Sequence, residues 1–285
     1  MKKHLRVLII AAVGLGVMSP AFAMDCYSAR EGGVNAPGLP PQIIGRDCNK
    51  GSIKRILQIQ DVVKNGQKVG ERQDLYEYNK AGLLVRHADS NPYTSGSEFI
   101  YEWEGNNLVS IASSVGVNTR EYDNLGRLTL NSFKQRNPSP FIQDGTDSYQ
   151  YETDENGVTK VVRILGDGGR ILTSFDRKGR EIYSKILNYP ARDYRYSESQ
   201  AGPVVETYQD GKLDELHVYS KKTGLIIRHE KAPGPFDKEG WIRIEYEYKF
   251  DKRGNWILKQ QIKLTSNDDR APDGLPITRK IEYWK

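Results

Sequence analysis

The chain has 285 residues, of which 42 are lysine or arginine and 37 are aspartate or glutamate. Three of the basic residues lie within the first six positions, and without them the balance is 39 − 37 = +2. Charges of both signs are interleaved and no block of basic residues stands out, so the composition excludes a protein built mainly to bind nucleic acid.

Residues 1–23 have the pattern of a secretory signal peptide. A basic start is followed by an apolar run at 7–17 and by Ala21-Phe22-Ala23, a small-x-small cleavage site. We expect cleavage after Ala23, with an uncleaved tether as the alternative. Met24-Asp25 before Cys26 does not fit a lipoprotein signal. We therefore expect a periplasmic or secreted protein of a Gram-negative bacterium, with no membrane span in the mature chain.

Cys26 and Cys48 are the two cysteines of the chain. In an oxidising compartment they are expected to form a disulfide, which would pin residues 24–52, a segment rich in glycine and proline. A loop of this size stabilises a fold by about 3 kcal/mol in the chain-entropy model. A redox pair would have the closer C-x-x-C spacing, so a structural role is expected.

From residue 53 to 285 the sequence predicts one β domain built from a repeated strand-turn-strand unit. In residues 246–256, aromatic residues alternate with charged ones, and Asp251 and Gly254 bracket a turn. Asp at the first and Gly at the fourth position favour a type I turn followed by a left-handed glycine. Such turn glycines recur with a period of about 22 residues and two insertions, at Gly82, Gly105, Gly126, Gly157, Gly179, Gly202, Gly224 and Gly254.

A second set of turns lies between these glycines, so each period holds two strands and the whole forms an antiparallel meander of roughly sixteen strands. So many strands must curl or close. We predict a sheet rolled into a spiral or barrel-like form, with a small propeller of four-stranded blades as the alternative. The first segment and the strand at 277–284 are expected to be end caps. Every second connection of the second set carries proline and an aromatic residue, at Tyr93, Phe141, Tyr189 and Phe236.

The repeated unit resembles the Rhs/YD-repeat proteins. The residues that carry the resemblance are Tyr122-Asp123 with Gly126, Phe175-Asp176 with Gly179 and Phe250-Asp251 with Gly254. The resemblance covers about residues 70 to 260. It implies a spiral β-sheet, which in larger members encloses a toxin or supports cell-surface recognition, and repeats that have been associated with carbohydrate binding. It implies no catalytic residues.

Three histidines follow the leader, and two occupy matching positions five residues after a turn glycine: His87 and His229. They could share a groove as metal ligands or acid-base groups. The simpler interpretation is outward strand positions repeated with the unit. Loop aspartates that could suggest Ca²⁺ lack the D-x-D-x-D-G spacing and are explained by turns. We expect no metal and no cofactor. Motifs for a serine hydrolase, a zinc protease or a phosphate loop are absent, so an enzyme is not expected.

These observations predict non-catalytic binding of a protein partner through the loops that carry Tyr93, Phe141, Tyr189 and Phe236, because binding residues often lie in loops on a rigid scaffold. The partner could be a secreted toxin, to which the chain would be immunity-like or accessory. An envelope glycan binder and a hydrolase with an acidic and histidine-containing groove are the alternatives. The strand tyrosines Tyr122, Tyr151 and Tyr248 are expected to pack within the sheet. The oligomeric state stays open.

Overall fold

The computed structural model describes residues 52–64, 67–90, 92, 96–105, 107–137, 143–186, 189–233, 240–264, 270–272 and 274–285. This part of the chain contains β-strands and no helix, which confirms the all-β prediction. The same residues include no helix that is long and apolar enough to cross a membrane. Cys26 and Cys48, and with them the predicted disulfide, lie outside the described residues.

Nineteen strands follow one another along the described chain. The first ten are β1 (Ile53–Lys64), β2 (Gln67–Tyr78), β3 (Leu84–Ser90), β4 (Glu98–Glu104), β5 (Asn107–Ser113), β6 (Gly116–Tyr122), β7 (Leu128–Gln135), β8 (Gly145–Thr153), β9 (Thr159–Ile164) and β10 (Arg170–Phe175). The others are β11 (Glu181–Ile186), β12 (Arg192–Glu198), β13 (Pro203–Gln209), β14 (Lys212–Tyr219), β15 (Ile226–Lys231), β16 (Ile242–Phe250), β17 (Trp256–Leu264), β18 (Arg270–Pro272) and β19 (Ile277–Tyr283).

Each strand from β1 to β17 pairs antiparallel with the next, and β19 then closes the ring. β19 pairs with β1 over Ile53–Gln60 and with β17 at Leu258 and Lys259. The short β18 pairs with β17 beside this junction. The result is a single closed sheet, which confirms the predicted barrel-like form and not a set of separate propeller blades, whereas the closure itself is a new finding. The expectation that 277–284 forms an end cap is wrong, because this strand completes the hydrogen bonding of two neighbours that would otherwise expose an edge.

The repeated turn has the predicted geometry. At the hairpin between β16 and β17, Gly254 has a φ of +81°. Its N–H donates to the carbonyl of Asp251, and the N–H of Asp251 donates to Asn255. The Asp251 carboxylate also accepts the N–H groups of Arg253 and Asn255, each at 2.9 Å. All eight predicted turn glycines have a positive φ.

The turns define two edges of the sheet. The Asp-Gly edge is the one at which the even-numbered strands β2 to β16 end, and it carries the eight turn glycines. The loop edge is the opposite one, at which the odd-numbered strands β1 to β17 end. The eight turns of the Asp-Gly edge join the strands β2 to β17 in pairs, and these are the sixteen predicted strands. The three further strands, β1, β18 and β19, lie outside the repeat.

Side chains alternate between two faces of the ring, and burial identifies the inner one. In β4 and β19, and in β12 as far as Ser197, every second residue is exposed, while the residues between them are buried or half-buried. Because a closed sheet shields its concave face, the more buried set defines the inner face. That face carries Tyr101 on β4, Tyr194 on β12 and Arg279 on β19. The register extends the inner face around the ring.

Candidate functional site

Tyr189 is the one predicted loop aromatic that falls within the described part of the chain. Its side chain is 66% exposed, at the connection between β11 and β12. Its N–H donates to the carbonyl of Ile186 at 3.1 Å, which ties Tyr189 to the end of β11 while its side chain is largely exposed. Tyr93, Phe141 and Phe236 lie outside the described residues, and whether they join Tyr189 in one surface stays a prediction.

Other exposed hydrophobic side chains also collect at the loop edge. Among the described residues ten large hydrophobic side chains are exposed, and seven of them lie in or beside connections of this edge. These seven are Val63, Val69, Val115, Ile186, Tyr189, Trp241 and Leu275. Exposed apolar side chains that are scattered singly are ordinary, whereas a cluster of them at one edge marks a candidate interaction surface.

The Asp-Gly edge has the opposite character. The largest cluster of buried hydrophobic residues lies there, close to the first turns of the repeat: Ile53, Ile56, Tyr78, Leu83, Leu84, Tyr101 and Leu108. A smaller cluster joins Val161 and Phe175 beside later turns. One edge of the sheet is therefore held by an apolar core, and the other presents apolar groups to solvent.

The strand tyrosines have a structural task, which confirms the prediction that they pack within the sheet. The hydroxyl of Tyr122 donates to the carbonyl of Leu108 at 2.8 Å, and that of Tyr151 donates to Leu128 at the same distance. Tyr248 makes the equivalent bond to Ile226. Each acceptor lies two or three residues after a turn glycine in the preceding hairpin, so the bonds tie successive repeats together.

His87 lies on the inner face against aromatic neighbours. Its ring stacks on Tyr76 with centroids 4.6 Å apart and on Phe99 at 5.9 Å. Its Nε2 is 3.8 Å from Oδ1 of Asp74, a carboxylate that is 4% exposed. Burial acts to raise the pKa of Asp74, but His87 and Arg72 outweigh it and the pKa is lowered.

His229 does not share a site with His87. The two lie six strands apart around the ring, on β15 and β3. His229 faces His217, which the sequence did not single out. Their rings are stacked, with centroids 4.4 Å apart and planes inclined by 13°. Both histidine pairs lie on the inner face, so the simpler interpretation of His87 and His229 as outward positions is wrong.

Glu215 completes a three-residue group with the two histidines. One potential ligand atom from each of Glu215, His217 and His229 lies within 4.8 Å of the others, and all three side chains are half-buried. Nε2 of His229 is shielded from solvent and has no hydrogen-bond partner. Burial lowers the pKa of His229; the Glu215 carboxylate acts in the opposite direction, and Lys231 lowers the pKa further. The arrangement offers two imidazoles and one carboxylate from adjacent strands.

Asp154 acts within a turn, as the sequence predicts, because it accepts the N–H of Val158 at 2.9 Å. Asp147 does not lie in a loop: it belongs to β8, pairs with Arg163 of β9 and accepts the N–H of Gly166 at 3.2 Å. These carboxylates are already satisfied by the chain, so they do not suggest a Ca²⁺ loop.

The chain matches no protein-family model and no curated protein. Among solved structures, it is similar to a porin-like protein from Bacteroides uniformis ATCC 8492, with 12% identity and a TM-score of 0.46, over 82% of this chain and 98% of that one. It is also similar to a structure described as TcdB2-TccC3-Cdc42, with 12% identity and a TM-score of 0.21, over 78% of this chain and 16% of that one. Likenesses this weak carry no argument about function.

Proposed function

We propose that this chain is a non-catalytic binding protein of the bacterial periplasm that holds a protein partner at its loop edge. The observation that carries the proposal is the concentration of exposed hydrophobic side chains at that edge, with the two-thirds-exposed ring of Tyr189 among them. Residues 1–23 support the periplasmic location through their signal-peptide pattern.

The kind of side chain favours a protein as the partner. Tyr189 and Trp241 are exposed at the loop edge together with aliphatic residues such as Ile186. Tyrosine and tryptophan are enriched in the central parts of protein interfaces, because they bury a large area and lose little conformational entropy. The closed sheet supplies the rigid base from which such loops bind.

The strand tyrosines give less support to the glycan alternative. A tyrosine that binds sugar must present a free ring face, whereas Tyr122, Tyr151 and Tyr248 are held by hydrogen bonds to the preceding hairpin. Arg127 also lies over the ring of Tyr151, with 4.9 Å between the guanidinium carbon and the ring centroid. The structure of the repeat therefore explains the regular spacing of these tyrosines without a sugar ligand.

The resemblance to Rhs/YD-repeat proteins supports a narrower form of the proposal, in which the partner is a secreted toxin and the chain is immunity-like or accessory. The repeated turn is the feature on which this rests. At Asp123 and Asp176, as at Asp251, the carboxylate accepts the N–H groups of the residues two and four positions later.

Affinity capture from periplasmic extract tests the proposal, with residues 24–285 as the bait. The test variant replaces Tyr93, Phe141, Tyr189 and Phe236 with alanine. The matched control replaces Leu125 and Phe250, two exposed hydrophobic residues of the Asp-Gly edge, with alanine. Circular dichroism establishes that all three baits are folded.

A protein captured by the wild type and the control, and lost from the test variant, is the expected result. Equal capture by all three baits would overturn the assignment to the loop edge. If no protein is captured and the wild type is retained on peptidoglycan or lipopolysaccharide resin, the glycan alternative replaces the proposal.

A further inference from the structure

We propose that Glu215, His217 and His229 form a binding site for one divalent transition-metal ion, with Zn²⁺ as the first candidate. The inference is independent of partner binding at the loop edge, because the three residues lie within strands on the inner face. It rests on strand register, on the distance between the ligand atoms and on a buried nitrogen that has no partner.

The register places the three side chains together. Glu215 and His217 are two residues apart on β14 and therefore point to the same face. His229 on β15 is directly opposite His217. Directly opposite residues of antiparallel strands have Cβ atoms about 4.5–5.5 Å apart. Both strands are paired on their other sides, β14 with β13 and β15 with β16, so the backbone holds this triangle in place.

The ligand atoms are close to the separation that a metal requires. They lie within 4.8 Å of one another. In a tetrahedral zinc site with bonds of about 2.0–2.2 Å, two ligand atoms are about 3.3–3.6 Å apart. Side-chain rotation therefore has to close a gap of at most about 1.2–1.5 Å, while the strands stay where they are.

The stacking of the His217 and His229 rings indicates which side-chain torsion must change for a metal to bind. The rings of His217 and His229 are nearly parallel, so their in-plane lone pairs do not converge on one point. Turning either ring about χ2, a broad and soft torsion in histidine, directs its nitrogen between the strands. Metal binding should therefore break the stack.

The buried nitrogen of His229 supplies the driving force. Its Nε2 has no hydrogen-bond partner and no contact with solvent. A buried polar atom that stays unsatisfied is unfavourable. A metal bond would satisfy it. Thr207, which is directly opposite Glu215 on the other side of β14, is a neighbouring hydroxyl able to orient the carboxylate.

The ligand set selects the class of metal. Two imidazoles and one carboxylate suit Zn²⁺, Ni²⁺, Co²⁺ or Cu²⁺, whereas Mg²⁺ and Ca²⁺ require mainly oxygen ligands. Lys231 lies directly opposite Glu215, and its positive charge disfavours the binding of a cation at this site. Its side chain is exposed and can turn toward solvent. Three protein ligands leave one position for water.

The test is metal titration of untagged mature protein that has been stripped with EDTA, using ZnCl₂, CoCl₂ and MgCl₂ as probes. The variants are His217→Gln and His229→Gln. The matched control is His87→Gln, because His87 holds the same position in its repeat and also stacks on an aromatic ring, but lies near Asp74 and Arg72. Thermal unfolding in EDTA shows whether each variant folds.

The expected result is one Zn²⁺ or Co²⁺ per chain for the wild type and for His87→Gln, with no binding of Mg²⁺. His217→Gln and His229→Gln each remove a direct ligand and should weaken Zn²⁺ affinity by about 100-fold or more. Loss of an outer-shell partner would weaken it by about 100-fold at most. Bound Co²⁺ should give a visible spectrum without thiolate charge-transfer bands, which distinguishes this site from binding at Cys26 and Cys48. Absence of stoichiometric Zn²⁺ binding by folded wild type would overturn the proposal, as would unchanged affinity in both variants.

Discussion

The guanidinium carbon of Arg279 lies 3.5 Å from the ring centroid of Trp256, so the cation is held against the face of the indole. The same guanidinium donates two hydrogen bonds, each 3.2 Å long, to Oε1 of Gln58. Trp256 belongs to β17 and Gln58 to β1, whereas Arg279 is on β19 between them. A single side chain, 8% exposed, therefore contacts both strands that flank the closing strand.

We expect Arg279→Met to lower the free energy of unfolding by about 2–3 kcal/mol, because it removes a buried cation-π contact and charge-assisted hydrogen bonds. Arg279→Lys should recover only part of this loss, since an ammonium lacks the planar fork. Urea denaturation measures both. Lys280→Met, on the exposed face of the same strand, is the control and should change stability by less than about 0.5 kcal/mol. Equal effects at the two positions would mean that Arg279 does not hold the closure.

The closure itself could not be predicted from the sequence. Hairpins are local, and the aspartate, glycine and alternating aromatic residues that form each one lie within about ten residues, so the pattern predicts them well. The pairing of β1 with β19 joins residues more than 200 positions apart, such as Ile56 and Ile281. No periodicity specifies a contact of that kind, so the sequence alone predicts an end cap for a strand outside the repeat.

The sequence does not predict the pairing of His217 with His229, for a different reason. The turn before β15 shifts the register by one residue between Val218 and Tyr219. If the pairing of Tyr219 with Ile226 continued without a shift, Arg228 would be opposite His217. The β-bulge brings His229 there instead, onto the same face. The spacing of the turn glycines does not reveal such a bulge. The bulge recurs beside other turns of the repeat, so a turn of this kind can be used to predict a one-residue shift of register in the adjoining strands.

The bond from Tyr151 to Leu128 leads to a prediction about cohesion between repeats. Tyr151→Phe keeps the ring and removes only the hydroxyl, so Leu128 loses a hydrogen bond of 2.8 Å. We expect a loss of about 1 kcal/mol in the free energy of unfolding, and a similar loss for Tyr248→Phe. Tyr189→Phe, at an exposed ring, should have almost no effect. If chemical denaturation ranks the three variants equally, the row of hydroxyl bonds is not a source of stability.

The left-handed glycine of each turn should be sensitive to alanine. Gly126 has a φ of +73°, and a Cβ added there would meet nothing closer than 3.9 Å. The cost of Gly126→Ala is thus purely conformational, about 1–2 kcal/mol. Gly145→Ala is the control, because Gly145 also has open space but no positive φ. It should be neutral or slightly stabilising. Thermal unfolding of the two variants separates strain from the general effect of replacing glycine.

The turn aspartates predict a specific loss of stability in acid. Oδ1 of Asp123 accepts the N–H groups of Leu125 and Arg127, and Oδ2 accepts Nε of Arg127 at 2.7 Å. Burial acts to raise the pKa of Asp123, but these hydrogen bonds and the charge of Arg127 outweigh it, so the pKa is lowered in the folded chain. The unfolded chain then binds the proton more tightly. The stabilisation is complete above the unfolded pKa, about 3.9, and is lost as the pH falls through the lower folded value.

Asp123→Asn should therefore be less stable than the wild type by about 1–2 kcal/mol at pH 7. The difference should stay constant down to about pH 5 and shrink below about pH 4 as the wild-type carboxylate becomes protonated. Urea denaturation at several pH values measures it. Glu121→Gln, an exposed position two residues earlier, controls for the loss of a negative charge. A difference between Asp123→Asn and wild type that is the same at pH 7 and pH 3 would show that the ionised carboxylate does not stabilise this turn.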